Sequence, residues 1–344
     1  MSFSRLLIKW YKINHRDLPW RNTNDPYKIW ISEIILQQTR VSQGLPYYLN
    51  FIKLFPTVTD LANAQETHVL KAWQGLGYYS RARNMHFTAK KIRDDFNSIF
   101  PNKYLDIRNL KGVGDYTAAA IASFSFHLPY AVLDGNVTRF LSRYFAIELP
   151  SDSSEGKKHF KKLSQELLYK NNPALYNQAI MEFGALQCVP KSVNCEICIL
   201  KDSCKSYGTN LISLLPLKTK HVKKSRIFFN YLFINDNGYT YVEKRNEGIW
   251  MKMYQFPLIE GDISLENIQE NKELNRLFGF KDFNITSISE QIVHKLTHKT
   301  ILARFIKIKV DSFSHFGYKK VKLGDLQDFP VPRLIDRYIK SLEI

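Results

Sequence analysis

Leu110-Lys111-Gly112-Val113-Gly114-Asp115-Tyr116-Thr117-Ala118 sets two glycines immediately ahead of an apolar run that continues at helical spacing to Phe126. Glycines in that place let backbone N–H groups turn outward at a helix N-terminus. Helped by the helix dipole, such donors hold a phosphate without reading sequence. A lone G-x-G before a helix is more often an ordinary loop, so the surroundings must decide. On either side the apolar spacing stays helical, as in Ile29 to Leu36 and Leu163 to Tyr169, with Gly and Pro as punctuation. From Ser4 to about Lys205 the chain reads as an all-helical unit.

The texture changes at Arg226 to β-branched and aromatic runs. Asp236-Asn237-Gly238 predicts a turn between Ile227–Ile234 and Tyr239–Glu243, and Ile306, Ile308 and Val310 alternate with Lys307 and Lys309 as in a half-buried strand. A last helix starts near Pro332, with Leu334, Ile335, Tyr338, Ile339 and Leu342 at core spacing. The second unit is α+β. Three segments follow: a helical unit over 1–205, a linker over 206–225 that is basic through Lys218, Lys220, Lys223 and Lys224, and an α+β domain over 226–344.

All four cysteines, Cys188, Cys195, Cys198 and Cys204, fall in one short stretch spaced C-x6-C-x2-C-x5-C. The gaps are too short for two separated zinc knuckles and suit four thiolates wrapped round one compact 4Fe-4S cluster. Structural zinc stays open as an alternative. A pair of disulfides would need an oxidising compartment and an export signal, and Met1-Ser2-Phe3-Ser4-Arg5 leads into no such signal.

A length of 344 residues with 44% hydrophobic side chains is enough for two or three true cores. The formal charge of +17 points to a polyanion, because clustered Lys and Arg gain free energy by releasing counterions from phosphates. No run approaches the ~18 apolar residues of a membrane helix. The expectation is a cytoplasmic, nucleoid-associated protein with no membrane partner.

The hairpin run, followed eighteen residues after Tyr116 by Asp134, resembles the helix-hairpin-helix glycosylase superfamily, and with the four cysteines its endonuclease III and MutY branch. Within that branch two sequences discriminate. Endonuclease III relatives carry a lysine where Tyr116 stands, whose amine forms a Schiff base and then cuts the strand; a tyrosine cannot. Trp30-Ile31-Ser32-Glu33-Ile34-Ile35-Leu36-Gln37-Gln38-Thr39-Arg40-Val41 is similar to the signature of the MutY adenine glycosylases, as are Leu18-Pro19-Trp20-Arg21 and Gln74 to Asn84. The resemblance implies a mostly α glycosylase unit with a helix-hairpin-helix and an iron-sulfur loop over 188–204, and a smaller α+β Nudix-like C-terminal domain.

It also implies the chemistry. A monofunctional N-glycosyl hydrolase, acting as a monomer on double-stranded DNA, would flip out adenine opposite 8-oxoguanine or guanine and leave an abasic site. Glu33, among Ile29, Trp30, Leu36 and Gln37 on a helix, should lose hydration and gain a pKa fit for donating a proton to adenine N7. Asp134, kept ionised, should stabilise or trap the oxocarbenium ion, unless it serves only as an N-cap. Tyr116 and Asn136 support it, Arg21 and Gln178 are candidates for the flipped base, and Gln38 and Tyr78 for filling the vacated stack. Gly112 and Gly114 would grip backbone.

Gly248 to Pro257 resembles part of the MutY C-terminal domain, but the clustered-carboxylate box of a working Nudix hydrolase is missing, with Glu266, Glu270 and Glu273 at other spacings. The family's Phe-Ser-His loop for 8-oxoguanine corresponds to Leu296, Thr297 and His298; a literal Phe313-Ser314-His315 lies beyond the following strand. Two alternatives remain: an endonuclease III-like bifunctional glycosylase/AP lyase, and a noncatalytic iron-sulfur DNA-binding protein.

Overall fold

The computed structural model describes residues 2–219, 225–266, 268–279, 283–313 and 317–342. Lys220, Lys223, Lys224, Ser314 and His315 therefore lie outside the described residues. The helices are α1 (Phe3–Asn14), α2 (Pro26–Leu36), α3 (Val41–Leu54), α4 (Val58–Asn63), α5 (Glu66–Ala72), α6 (Ser80–Asp95) and α7 (Tyr104–Arg108). They continue with α8 (Asp115–Phe126), α9 (Gly135–Tyr144), α10 (Ser154–Glu166), α11 (Pro173–Leu186), α12 (Leu211–Leu214), α13 (Lys272–Phe278) and α14 (Arg333–Ser341). The strands are β1 (Ser225–Asn235), β2 (Tyr239–Lys244), β3 (Tyr254–Gln255), β4 (Leu258–Glu260), β5 (Asn284–Ile288), β6 (Ile292–Lys295), β7 (Lys299–Lys309) and β8 (Lys319–Lys322).

Contacts divide the chain into two units, residues 1–63 with 84–221, and residues 64–83 with 222–344. This differs from a single cut near 205. Residues 64–83 join the second unit: Gln74 Nε2 donates to Asp336 Oδ1 at 2.8 Å, and Lys71 Nζ donates to the carbonyls of Gln327 and Phe329. The early part of the expected linker belongs to the first unit, where Leu217 O accepts from Ser151 N at 2.9 Å and Asp152 Oδ1 from Thr219 N at 2.8 Å.

In the helical unit, local chemistry sets the starts of the helices that matter. Asp25 caps α2 by accepting from Tyr27 N, with Pro26 at the first turn; Asn172 and Pro173 repeat the device at α11. α2 packs on α8 and α3, and α11 packs on α1, α8 and α9. α10 stops at Glu166, so Leu168 reaches the core from beyond the helix that the apolar run to Tyr169 predicts.

The second unit is α+β, as expected, with a strand pairing that local pattern does not show. The turn at Asp236–Gly238 forms, with Asn237 at φ 48° and Gly238 at φ 85°, yet its two strands share only the Asp236–Tyr239 bridge and then part into different sheets. β1 instead runs parallel to β7 from Ser225↔Lys299 to Asn235↔Lys309 in a sheet ordered β4-β1-β7-β5, with β6 also on β7; β3-β2-β8 is the other sheet. Ile306, Ile308 and Val310 are buried and alternate with the lysines as expected, and earlier in β7 the buried positions lie on the other face. Ile301, Ala303 and Phe305 pack with Leu334, Ile335 and Tyr338 of α14, whereas Ile306 and Ile308 pack with Leu274 and Phe278 of α13. Odd and even positions of a strand point to opposite faces, so one central strand feeds two cores.

Candidate active site

Side chains from α2, α8, α11 and the start of α9 line a cavity of about 440 Å³ in the helical unit. Glu33, Tyr116, Asp134, Asn136, Arg21, Gln178 and Gln38 all border it, so seven of the residues singled out in sequence come together there.

Glu33 sits on α2 between buried Ile29, Trp30 and Ile34 and is itself 6% exposed. Burial pushes its carboxyl up to about 7; the nearby Tyr116 hydroxyl lowers it, the Asp134 charge raises it and Arg21 lowers it. Asp134 caps α9, with Oδ1 accepting from Val137 N at 2.7 Å and Oδ2 from Asn136 Nδ2 at 2.8 Å. Burial raises its carboxyl too, against those donors. Burial thus pushes both carboxyls up, and what separates them is that Asp134, expected to stay ionised, has directed N–H donors that favour its ionised form. The Tyr116 hydroxyl, 3.9 Å from Met181 Sδ, is held well above its usual pKa by burial and by the two carboxylates.

Arg21 does not hang free in the cavity. Its Nη1 and Nη2 donate to Glu182 Oε1 at 2.9 Å and Oε2 at 2.6 Å, and Arg16 makes a second fork onto the same carboxylate. Sequence reasoning missed Glu182. Its signal was a charged residue in the apolar run Ile180 to Leu186, where carboxylates are rarely found without a partner. Gln178 Oε1 accepts from Tyr11 OH at 2.6 Å, which leaves its amide N–H₂ as donor.

Gln38 and Tyr78, both exposed, adopt left-handed backbone conformations, at φ 57° and 48°. Such φ values are costly for these residue types and concentrate where a side chain must be presented. Gly112 and Gly114 stand exposed ahead of α8; Gly112 has φ 83°, and a Cβ there would lie 2.9 Å from Asn84 Cβ. In the second unit Leu296, Thr297 and His298 form the tip of the β6–β7 hairpin, closed by Leu296 N donating to Lys299 O at 2.8 Å. Leu296 packs on the core, Thr297 and His298 are exposed, and the Thr297 hydroxyl is hydrogen-bonded to Tyr78 OH. Phe313 of the later triplet is buried in the α13-side core, edge-on to Tyr241.

Cys188, Cys195, Cys198 and Cys204 are free thiols bordering one small cavity, and Arg143 Nη1 donates to Cys188 Sγ at 3.7 Å. Among the described residues, no three His, Cys, Asp or Glu side chains converge closely enough for a single metal ion. Four cysteines round one cavity are a donor set that suits a thiolate-bound metal centre.

Residues 31–166 match the family described as HhH-GPD superfamily base excision DNA repair protein, and 230–341 match the NUDIX domain. The chain is 39% identical to the adenine DNA glycosylase of Buchnera aphidicola subsp. Baizongia pistaciae over 92% of this chain and 89% of that one. It is 33% identical to that of Buchnera aphidicola subsp. Schizaphis graminum over 98% of both chains. Among solved structures, a thermostable thymine-DNA glycosylase matches 60% of this chain and 94% of its own at TM-score 0.55 and 28% identity. No helix among the described residues is long and apolar enough to cross a membrane.

Proposed function

The chain belongs to the adenine DNA glycosylases, and from that premise we propose that it excises adenine mispaired with 8-oxoguanine or guanine, as a monomer in the cytoplasm, and leaves an abasic site. The observation that carries the reading is the Glu33 carboxyl, buried beside Asp134 and pushed up to about 7 in a cavity of about 440 Å³, large enough to admit a nucleobase.

The base must leave the stack to reach this pocket, since a duplex hides both its N-glycosidic bond and its N7. Glu33, protonated near neutrality, gives its proton to N7 and turns adenine into a neutral leaving group. The Asp134 carboxylate, fixed by Val137 N–H and Asn136 Nδ2, then meets the oxocarbenium character at the anomeric carbon, electrostatically or as a covalent adduct. Glu33, now ionised, activates the water. Gln178 N–H₂ and the Arg21 edge offer donors to the flipped base. Tyr116 supplies a hydroxyl where a lyase needs an amine, so no Schiff base forms and the strand stays whole.

Gln38 and Tyr78 fill the gap in the stack, and Gly112 to Gly114 hold the backbone. The β6–β7 tip, Leu296-Thr297-His298, inspects the base opposite adenine. Cys188, Cys195, Cys198 and Cys204 would hold a 4Fe-4S cluster. When bound, such a cluster would supply a rigid cross-link for a loop whose Lys191, Lys201 and Lys205 suit a DNA backbone.

An end-labelled duplex with adenine opposite 8-oxoguanine, beside an adenine:thymine control, tests the reading. Breakage only after alkali, and only in the adenine strand of the mispair, is expected. Breakage without alkali would replace it with a lyase, and no product from cluster-loaded protein would leave a binding-only protein.

A further inference from the structure

The pocket wall contains a charged group that the proposed chemistry does not use. Glu182, on α11, has no exposed side-chain surface, and five N–H donors converge on it: Arg16 N at 2.9 Å, Arg16 Nε at 2.8 Å, Arg16 Nη2 at 2.6 Å, Arg21 Nη1 at 2.9 Å and Arg21 Nη2 at 2.6 Å. Two arginines fork onto one carboxylate. Burial alone would raise its pKa, but the hydrogen bonds from Arg16 and Arg21 outweigh that and lower it to about 2, so it stays ionised throughout the working range. All three side chains border the same cavity as Glu33.

We propose that Glu182 is a positioning and charge-balancing residue for excision: it clamps Arg16 and Arg21 and cancels one of their charges, so that Glu33 keeps the proton it must donate. The inference rests on the reading of Glu33 as the acid.

The charged and titratable groups facing Glu33 come from every wall. α8 supplies Tyr116, the start of α9 supplies Asp134, the turn before α2 supplies Arg21 with Arg16 beside it, and α11 supplies Glu182. With Asp134 ionised and Glu33 protonated, two positive and two negative charges meet in the cavity, and the pocket is neutral. Remove the charge of Glu182 and a net positive charge remains, which is relieved when Glu33 gives up its proton to solvent. Remove Arg16 instead and a net negative charge opposes that loss. A single uncompensated charge within ~10 Å, in an effective dielectric of ~20, moves such a group by roughly one pH unit.

The test is the pH dependence of the single-turnover excision rate on an adenine:8-oxoguanine duplex, which reads the chemical step. The wild type should lose rate above neutrality. Glu182→Gln should move that alkaline limb down by about one pH unit, Arg16→Met should move it up by a similar amount, and the double variant should return it close to the wild-type position. Glu182→Asp keeps the charge and should keep the limb even where the maximal rate drops. A Glu182→Gln limb left in place with only its amplitude reduced would mark Glu182 as structural and overturn the proposal. So would a shift of Arg16→Met in the same direction. Arg16 is the more exposed partner, at 36%, so its variant gives a reading even if Glu182→Gln does not fold. Failure of the underlying reading looks different: the wild type would then show no fall above neutrality.

Discussion

A carboxyl that must carry a proton at neutral pH has to be kept from water, and the whole fold is charged for it. Glu33 in the native chain holds its proton up to about 7, whereas the unfolded chain releases it near the ordinary value of 4.5. Between those two values the native state binds more protons. The stability contributed by protonated Glu33 is complete below about 4.5 and is lost as pH rises through about 7, for a total of roughly 3 kcal/mol. Glu33→Gln cannot ionise, so the variant should abolish excision, keep its affinity for the mispaired duplex, and gain stability over the wild type as pH rises from 5 to 8. Unfolding midpoints for both chains at the two pH values check this; a constant difference between them would remove burial as the source of the raised pKa. Tyr116 borders the same pocket. Its hydroxyl lies among Glu33, Asp134 and Met181, and Tyr116→Lys places an amine there. Strand nicking and an imine trapped by borohydride should appear, and their absence would show that the site cannot bring an amine to the sugar carbon.

At the scale of elements, what was legible in the sequence is what local chemistry dictates. Helix α2 and the place of Glu33 on it follow from apolar spacing, and the N-cap of Asp134 follows from Asp134-Gly135-Asn136 ahead of Val137. The turn at Asp236–Gly238 follows from residue type. Pairing made across the chain was not legible. β1 and β7 lie side by side although more than sixty residues separate them, and Glu182 meets Arg16 and Arg21 only because α11 packs on α1. Periodicity along one segment carries no information about either. Topology also places the two look-alike triplets differently, with Ser314 and His315 outside the described residues. Leu296-Thr297-His298 forms a hairpin tip with two exposed polar side chains, while Phe313 is core. Replacing Thr297 and His298 by alanine at that tip should leave the adenine:guanine rate nearly unchanged. It should lower the preference for 8-oxoguanine over guanine opposite adenine severalfold, read as the ratio of the two excision rates. An unchanged ratio would assign the inspection to another loop.

For the whole molecule the governing quantity is a formal charge of +17. Part of it is gathered on α10, where Lys157, Lys158, Lys161 and Lys162 border a cavity of about 710 Å³ that also touches Tyr116 and Asp134. Charge of this kind reads phosphate, not sequence, and each phosphate neutralised adds about −0.9 to the slope of log affinity against log salt. On the proposed function the mispair is read instead by the pocket and the hairpin tip, through contacts that salt screens weakly once buried. The two contributions can therefore be separated with one protein. Glu33→Gln, which should bind without turning over, is expected to lose affinity for mispaired and fully matched duplexes with the same steep slope between 50 and 200 mM salt, on the order of 10³-fold if six or more phosphates are held. The ratio of the two affinities should stay nearly constant over that range. A ratio that collapsed with rising salt would mean that discrimination itself depends on the basic surface, and would shift the recognition of the mispair from the pocket and hairpin tip to the way the lysines hold a deformed backbone.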